Sequence, residues 1–249
     1  KMDNFQFNLA FFIIIFLILA LIIFFLFDRK KFLRIRPLQA LVQFKKVFGF
    51  SIEQGKRMHI SLGWSKIEGA TGAASLVALD SMATYAQQSL LGDRPPIITN
   101  GSGDLTLLSQ DIIKKYYREN NAIERYNDSR VFLSGISPYS YVAGSMPILN
   151  QDVATQSIIG HYGPEAGLLV EAGLRKDVFT LAATDSLAGQ ATMFALADEV
   201  LIGEELFAIS PIIDEKAVNN ASLHTQDLLR YLAIFGLILS ALLKLVGII

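Results

Sequence analysis

Seven polar residues in this sequence have the side-chain types and the positions that binding or catalysis requires. Each follows a short apolar run, in a turn of the chain; they are Asn100, Ser102, Asp104, His161, Glu165, Glu204 and Glu205. Parallel strands present their carboxyl ends at one edge of a sheet, and ligands bind outside that edge. These residues are therefore the candidates for a ligand site.

The stretch NGSGD, from Asn100 to Asp104, resembles half of a phosphate-binding turn, with free backbone N–H groups at the start of a helix. The dinucleotide fingerprint G-x-G-x-x-G needs a third glycine, and Thr106 stands in its place. The Lys-Ser/Thr pair of a P-loop is missing as well. Ser102 as a helix N-cap, with glycines forming a tight turn, explains the same residues and is the favoured interpretation.

His161 lies at the end of an apolar run, and Glu165 follows four residues later, a spacing that suits an acid/base or metal-binding pair. The positive end of a helix dipole explains Glu165 equally well, and it also explains Glu204 and Glu205. A divalent cation becomes plausible only if Glu165 converges with one of those two carboxylates. We favour turn and capping roles, and we expect no resident metal or cofactor.

Composition limits the alternatives. The 249 residues contain no Cys and three His, which excludes disulfides and thiolate chemistry and disfavours a histidine-rich metal site. The formal net charge of -1 gives no bulk attraction to nucleic acid, so no nucleic-acid partner is expected.

Short apolar runs alternate with amphipathic stretches through the middle of the chain, which predicts a mostly parallel sheet covered on both faces. Predicted strands cover residues 58–63, 97–99, 131–133, 155–159, 178–182 and 199–202. A barrel needs eight such units. We therefore predict a doubly wound, Rossmann-like α/β domain over residues 51–226.

The two ends of the chain are apolar. Residues 9–27 carry no charge, which predicts a transmembrane helix within residues 5–28, and residues 227–249 predict a second one. Basic residues follow the first helix, so the α/β domain is expected on the cytoplasmic side of a bacterial or archaeal plasma membrane, with both termini outside. Residues 29–50 are basic and amphipathic, which predicts a segment at the membrane surface. A helix packed on the domain is the alternative.

Four stretches carry a resemblance to a known family: DRPPIITNGSGDLTLLSQD (Asp93 to Asp111), GHYGPEAGLLVEAG (Gly160 to Gly173), IGEELFA (Ile202 to Ala208), and Ser222-Leu223-His224 with Asp227, Leu229 and Arg230 before the apolar end. From about Met58 onward, the chain resembles an uncharacterised family of prokaryotic membrane proteins that carry a domain of unknown function. The resemblance implies one cytoplasmic-type domain and a terminal transmembrane helix. It implies no activity and no site residues.

The leading functional hypothesis is a non-enzymatic, membrane-anchored scaffold or assembly component that forms a homo-oligomer or a larger membrane assembly. It rests on the missing catalytic motifs and on small-residue faces at Ala70–Ala78 and Gly236–Ser240. The first alternative is a module that senses a nucleotide or another anion near Ser102. The second is a hydrolase, which requires His161, Glu165 and Glu204 to converge.

Overall fold

The computed structural model describes residues 15–16, 18–20, 22–24, 26, 38–90, 92–213 and 217–245, of which 217–222, 239–243 and 245 are described by their backbone alone. The chain divides into two compact units. One is Pro37–Ile213, and the other combines Lys1–Arg36 with Asp214–Ile249.

Six parallel strands form the centre of the Pro37–Ile213 unit, in the order β3-β2-β1-β4-β5-β6. The strands are β1 (Arg57–Gly63), β2 (Ile97–Asn100), β3 (Val131–Leu133), β4 (Val153–His161), β5 (Phe179–Thr184) and β6 (Glu199–Leu201). The predicted α/β fold with a parallel sheet is confirmed. The strand order reverses between β1 and β4, which lie side by side and pair Gly63 with His161. A reversal of this kind opens a crevice at the carboxyl ends of the two strands.

Helices cover both faces of the sheet. On one face pack α1 (Gln39–Glu53), α2 (Gly72–Ser89), α3 (Gly103–Glu119) and α7 (Glu205–Ile213); on the other pack α4 (Pro138–Ser145), α5 (Ala166–Leu174) and α6 (Leu187–Leu196). The central strand β1 shows why both layers form. Its Met58, Ile60 and Leu62 enter the first apolar cluster, while His59 and Ser61 alternate with them and face the second layer.

Helix α1 belongs to the α/β unit. It covers the end of the segment that was predicted to lie at a membrane surface, and its Phe44 and Phe48 are fully buried. Both rings meet Tyr85 of α2 edge-on, at centroid distances of 5.3 and 5.7 Å, while Lys45 and Lys46 remain exposed. This is the helix packed on the domain that the sequence left as an alternative. Residues 29–37 lie outside the described residues.

The prediction of two transmembrane helices is wrong. Across the described part of the chain, no helix combines the length and the apolar character needed to cross a bilayer. The predicted second span falls in α8 (Ala217–Leu245). This helix is continuous and contains the charged residues Asp227, Arg230 and Lys244. Most of the predicted first span lies outside the described residues. In the unit that contains α8, the ring of His224 lies 5.8 Å from that of Phe24.

Candidate functional site

A pocket opens at the carboxyl ends of β1 and β2, on the β2 side of β1 rather than at the reversal between β1 and β4, and we call it the strand-end crevice. Its volume is about 330 Å³, and it is lined by Trp64, Ser65, Lys66, Glu68, Thr71, Gly101, Ser102, Gly103 and Ile136. The two loops that form it touch at Gly101, where an added Cβ would lie 2.2 Å from the Trp64 Cα. Only glycine permits this approach, so the glycine-rich turn after β2 shapes the wall of the crevice.

Ser102 occupies the N-cap position of α3, as the sequence predicted, but its side chain makes no capping hydrogen bond. The residue is only 4% exposed, and its hydroxyl lies in the crevice wall, where it interacts with the Asp104 carboxylate but closes no hydrogen bond of regular geometry. A buried polar atom without a partner is costly. The capping role that best explained Ser102 from sequence therefore does not account for its hydroxyl.

Asp104 and Asn100 flank this turn but serve the fold. The Asp104 carboxylate accepts a hydrogen bond from the Ile67 N–H at 2.9 Å, which ties α3 to the loop after β1. Burial alone would raise the pKa of Asp104, but the hydrogen bonds to its carboxylate outweigh burial and lower it. Asn100 is fully buried, and its Oδ1 accepts a hydrogen bond from the Ser109 hydroxyl at 3.2 Å.

His161, at the end of β4, pairs with a carboxylate that follows the next strand. Its Nδ1 lies 2.6 Å from Oδ1 of Asp185. Because an ionised carboxylate only accepts, Nδ1 carries the proton of this bond, and in the neutral ring Nε2 is left as an acceptor. The ring meets Trp64 edge-on, with centroids 5.1 Å apart. The pair has the geometry of a base oriented by a carboxylate, although within the described residues Asp185 is the one hydrogen-bond partner of the ring.

Glu165 holds the loop after β1 in place. Its Oε1 accepts hydrogen bonds from the indole Nε1 of Trp64 at 2.8 Å and from the Gly163 N–H at 2.7 Å. The side chain is only 5% exposed. It follows Pro164 in a turn, and α5 begins one residue later, at Ala166. His161 and Glu165 thus both contact Trp64, and Glu165 acts as an anchor for the indole.

Glu204 and Glu205 lie at the start of α7, after β6. Glu205 accepts a hydrogen bond from the Ile202 N–H at 3.1 Å, which is a capping role. Strand β6 is two strands away from β4, or roughly 10 Å. The turn that carries Glu204 and Glu205 therefore lies beside the outer strand of the sheet and not beside His161. Among the described residues, no three His, Asp or Glu side chains are arranged to hold a metal ion.

A layer of buried hydroxyl groups supports the floor of the site. The Ser61 hydroxyl lies 2.6 Å from the Tyr141 hydroxyl and 2.7 Å from that of Tyr162, and Tyr141 also reaches the Gly63 N–H. The Thr99 hydroxyl lies 3.1 Å from the Tyr141 hydroxyl and 3.0 Å from Nε2 of the buried His59 ring, so His59 belongs to the same layer. Burial, and secondarily Tyr141, raises the pKa of Tyr162 well above its usual value, so the Tyr162 hydroxyl keeps its proton.

Sequence reasoning missed most of the contacts in the site. It did not pair Asp185 with His161 or Trp64 with Glu165, and it did not include Ser61, Tyr141 or Tyr162. The bond between Trp64 and Glu165 spans 101 residues. No local spacing encodes such a contact; the one available signal was the position of Asp185 directly after a strand.

These features define the class of the protein: an α/β domain with a six-stranded parallel sheet and a crevice at the carboxyl ends of its central strands. The chain belongs to the family described as Domain of unknown function (DUF6754), whose model matches residues 1–249. The resemblance to an uncharacterised family is confirmed to that extent. No curated protein and no solved structure matches the chain.

Proposed function

We propose that this domain is a ligand-sensing module that binds a small molecule with a negatively charged group, such as a nucleotide, in the strand-end crevice. The observation that carries the proposal is the Ser102 hydroxyl, which is buried in the crevice wall, makes no capping bond and faces the Asp104 carboxylate without closing a regular hydrogen bond. A ligand oxygen in the crevice would satisfy it. We further propose that the fold is Rossmann-like, because the strand order 3-2-1-4-5-6 is the one found in dinucleotide-binding sheets.

The helix start at Ser102 favours a negatively charged ligand group, and the Asp104 carboxylate in the same turn is the group that opposes it. Ser102 and Gly103 form the start of the 17-residue helix α3, where the aligned peptide dipoles favour a negative charge. Lys66 adds a cation to the lining. Glu68 opposes it, which favours a ligand that also offers hydroxyl donors.

The remaining lining suits a flat or apolar ligand part. Trp64 and Ile136 both line the crevice, and Glu165 fixes the indole through its Nε1. An aromatic wall of fixed orientation lowers the entropy cost of stacking a ring against it. A nucleotide combines such a ring with a charged group and with hydroxyl donors.

The hydrolase alternative has weaker support. It requires Glu165 as a reacting carboxylate, whereas that side chain is buried and holds two N–H groups. The His161–Asp185 pair has no hydroxyl nucleophile hydrogen-bonded to it within the described residues.

A thermal-shift screen tests the proposal. Purified protein is heated with a panel of nucleotides, inorganic anions and divalent metals, and we expect a nucleotide or anion to raise the unfolding temperature. The Ser102→Ala variant should lose most of that shift while keeping its own stability, because no capping bond is removed. Ser129→Ala is the matched control. The exposed Ser129 hydroxyl donates a hydrogen bond to the Asn127 side chain, at the amino-terminal ends of the strands and away from the crevice. No shift with any compound would contradict the proposal.

Assembly as a homo-oligomeric scaffold is the second candidate, and one surface favours it. On α6, Leu187 and Phe194 are 83% and 69% exposed and lie seven residues apart, on one face of the helix. The small-residue face of α2 lends no support, since Ala74 and Ala78 are fully buried within their own unit. Mass photometry of wild type and Phe194→Glu tests this candidate, which predicts an oligomer that the variant weakens. A monomeric wild type would overturn it.

The predicted cytoplasmic location stays a prediction that rests on the basic residues after the first apolar stretch.

A further inference from the structure

The amino-terminal edge of the sheet, opposite the strand-end crevice, carries a concentration of guanidinium groups. Four neighbouring strands, β3, β2, β1 and β4, are preceded or opened by Arg130, Arg94, Arg57 and Asp152, in that spatial order. Parallel strands begin at the same edge, so the order of the sheet brings together three arginines that lie far apart in sequence. We call these three residues the strand-start arginines.

Two of the three, Arg57 and Arg130, form no ion pair with a carboxylate within the described residues. Arg94 forms a salt bridge with Asp152, whereas Arg57 donates from Nη1 to the neutral Gln151 side chain at 3.0 Å. Within the described residues, Arg130 forms no ion pair. Lys56 also lies close enough to lower the pKa of Asp152, so this carboxylate faces three cations, Arg94, Lys56 and Arg57.

Partial burial makes the positive charge of the strand-start arginines energetically unfavourable. The Nε of Arg57 is buried and has no hydrogen-bond partner. The pKa of Arg57 is lowered, first by burial and then by the charges of Arg130 and Arg94. Like charges that crowd in a partly desolvated place destabilise a fold unless an anion neutralises them.

Neither backbone carbonyl groups nor nearby carboxylates account for the positions of the strand-start arginines. Arginines at the strand starts can bind loop carbonyl groups, as Arg125 does by donating to the Gly92 carbonyl at 2.9 Å, but no bond to a backbone carbonyl is made by the strand-start arginines in the described part of the chain. Carboxylates of Asp93, Glu124 and Asp128 line an adjoining pocket with Arg130. None of the three is within ion-pair distance of a strand-start arginine.

We propose that the strand-start arginines bind a phosphate group, with Arg57 and Arg130 as the main donors and Arg94 shared with Asp152. Guanidinium forks match the geometry of a phosphate and form two parallel hydrogen bonds with it. The phosphate belongs to a soluble phosphate ester or to a lipid headgroup, because both present the same oxygens. This site is separate from the strand-end crevice and does not depend on the function proposed for it.

Isothermal titration of the purified full chain with inorganic pyrophosphate tests the site. We expect saturable binding with a dissociation constant of roughly 1 mM or tighter, weakened about tenfold in Arg130→Gln because one charge-assisted contact is lost. Arg130 makes no ion pair in the described structure, so the substitution should spare the fold, which circular dichroism checks. Arg118→Gln, at an exposed arginine in the last turn of α3, is the matched control and should bind like wild type.

A second arm distinguishes the two sources of phosphate. Sedimentation with vesicles of phosphatidic acid in phosphatidylcholine is compared with vesicles of phosphatidylcholine alone. Capture by phosphatidic acid that Arg130→Gln abolishes, without pyrophosphate binding, assigns the site to a lipid headgroup. Pyrophosphate binding that depends on Arg130 assigns it to a soluble ester. If neither probe binds, or if Arg130→Gln and Arg118→Gln behave alike with both, the proposal is overturned.

Discussion

At the scale of single residues, the buried hydroxyl layer under the site contains one group that can take up a proton, His59. The ring is completely buried, and burial lowers its pKa from 6.5 to about 4. Its Nε2 meets the Thr99 hydroxyl, while Nδ1 has no partner of regular geometry. The native state therefore keeps His59 neutral at a pH where the unfolded chain already binds a proton.

The fold should consequently lose stability in mild acid. Above pH 6.5 the ring is neutral in both states and costs nothing. Between pH 6.5 and about 4 only the unfolded chain is protonated, which removes up to about 3 kcal/mol at roughly 1.36 kcal/mol per pKa unit. Urea unfolding of wild type and His59→Gln between pH 8 and pH 4 measures the difference. Equal acid sensitivity of the two proteins would disprove the buried neutral histidine.

Trp64 is the single tryptophan of the chain, so its fluorescence reports on the crevice directly. Replacing Glu165 by alanine leaves the buried indole N–H and the Gly163 N–H without their acceptor, which should cost about 1–3 kcal/mol and shift the Trp64 emission. Glu165→Gln retains an acceptor oxygen and should lie between wild type and alanine. Identical emission spectra for all three would show that Glu165 does not position Trp64.

At the scale of elements, the two glycines of the turn after β2 should differ in how much stability their replacement by alanine costs. An alanine at Gly101 would push its Cβ to 2.2 Å from the Trp64 Cα, a backbone atom that cannot move aside cheaply, whereas a Cβ at Gly103 would meet nothing within 4 Å. We expect Gly101→Ala to lose about 1–3 kcal/mol of stability and Gly103→Ala to lose little. Chemical denaturation of both variants checks this. Equal losses would mean that the approach of the two loops is not tight.

Helix α1 provides a matched pair of phenylalanines. Phe44 is fully buried against Tyr85 and Phe179, whereas Phe50 of the same helix is 63% exposed. Phe44→Ala should destabilise the α/β unit by about 3–5 kcal/mol because it leaves a cavity, and Phe50→Ala by less than about 1 kcal/mol. Denaturant midpoints of the two variants measure this. A small effect of Phe44→Ala would show that α1 is peripheral to the core.

The elements also show what sequence could and could not predict. Strand β3 was predicted with the bounds it has, because an apolar run between turn residues specifies a buried strand locally. Residues 29–50 were predicted to lie at a membrane surface, with a helix packed on the domain as the alternative, because large apolar residues mixed with basic ones suit both places. Hydropathy misled at the ends of the chain, where two transmembrane helices were predicted and the described residues contain no membrane-spanning helix.

At the scale of the whole molecule, the site depends on connections that only the fold creates. The parallel order of the sheet brings the turn after β2 beside Trp64 and places the strand-start arginines at the opposite edge. The sequence identified Ser102 and His161 as candidates, since polar residues after strands are visible locally. It did not reveal that Glu165 anchors Trp64 or that Asp185 orients His161, because these pairs are 101 and 24 residues apart.

The most direct test of the central claim is a Trp64 fluorescence titration with the nucleotide or anion that gives the largest thermal shift. The account predicts a saturable change in Trp64 emission in wild type and at least about tenfold weaker binding in Ser102→Ala, with Ser129→Ala unchanged. A Trp64 signal that never responds to the ligand, or that responds equally in Ser102→Ala, would contradict binding in the strand-end crevice.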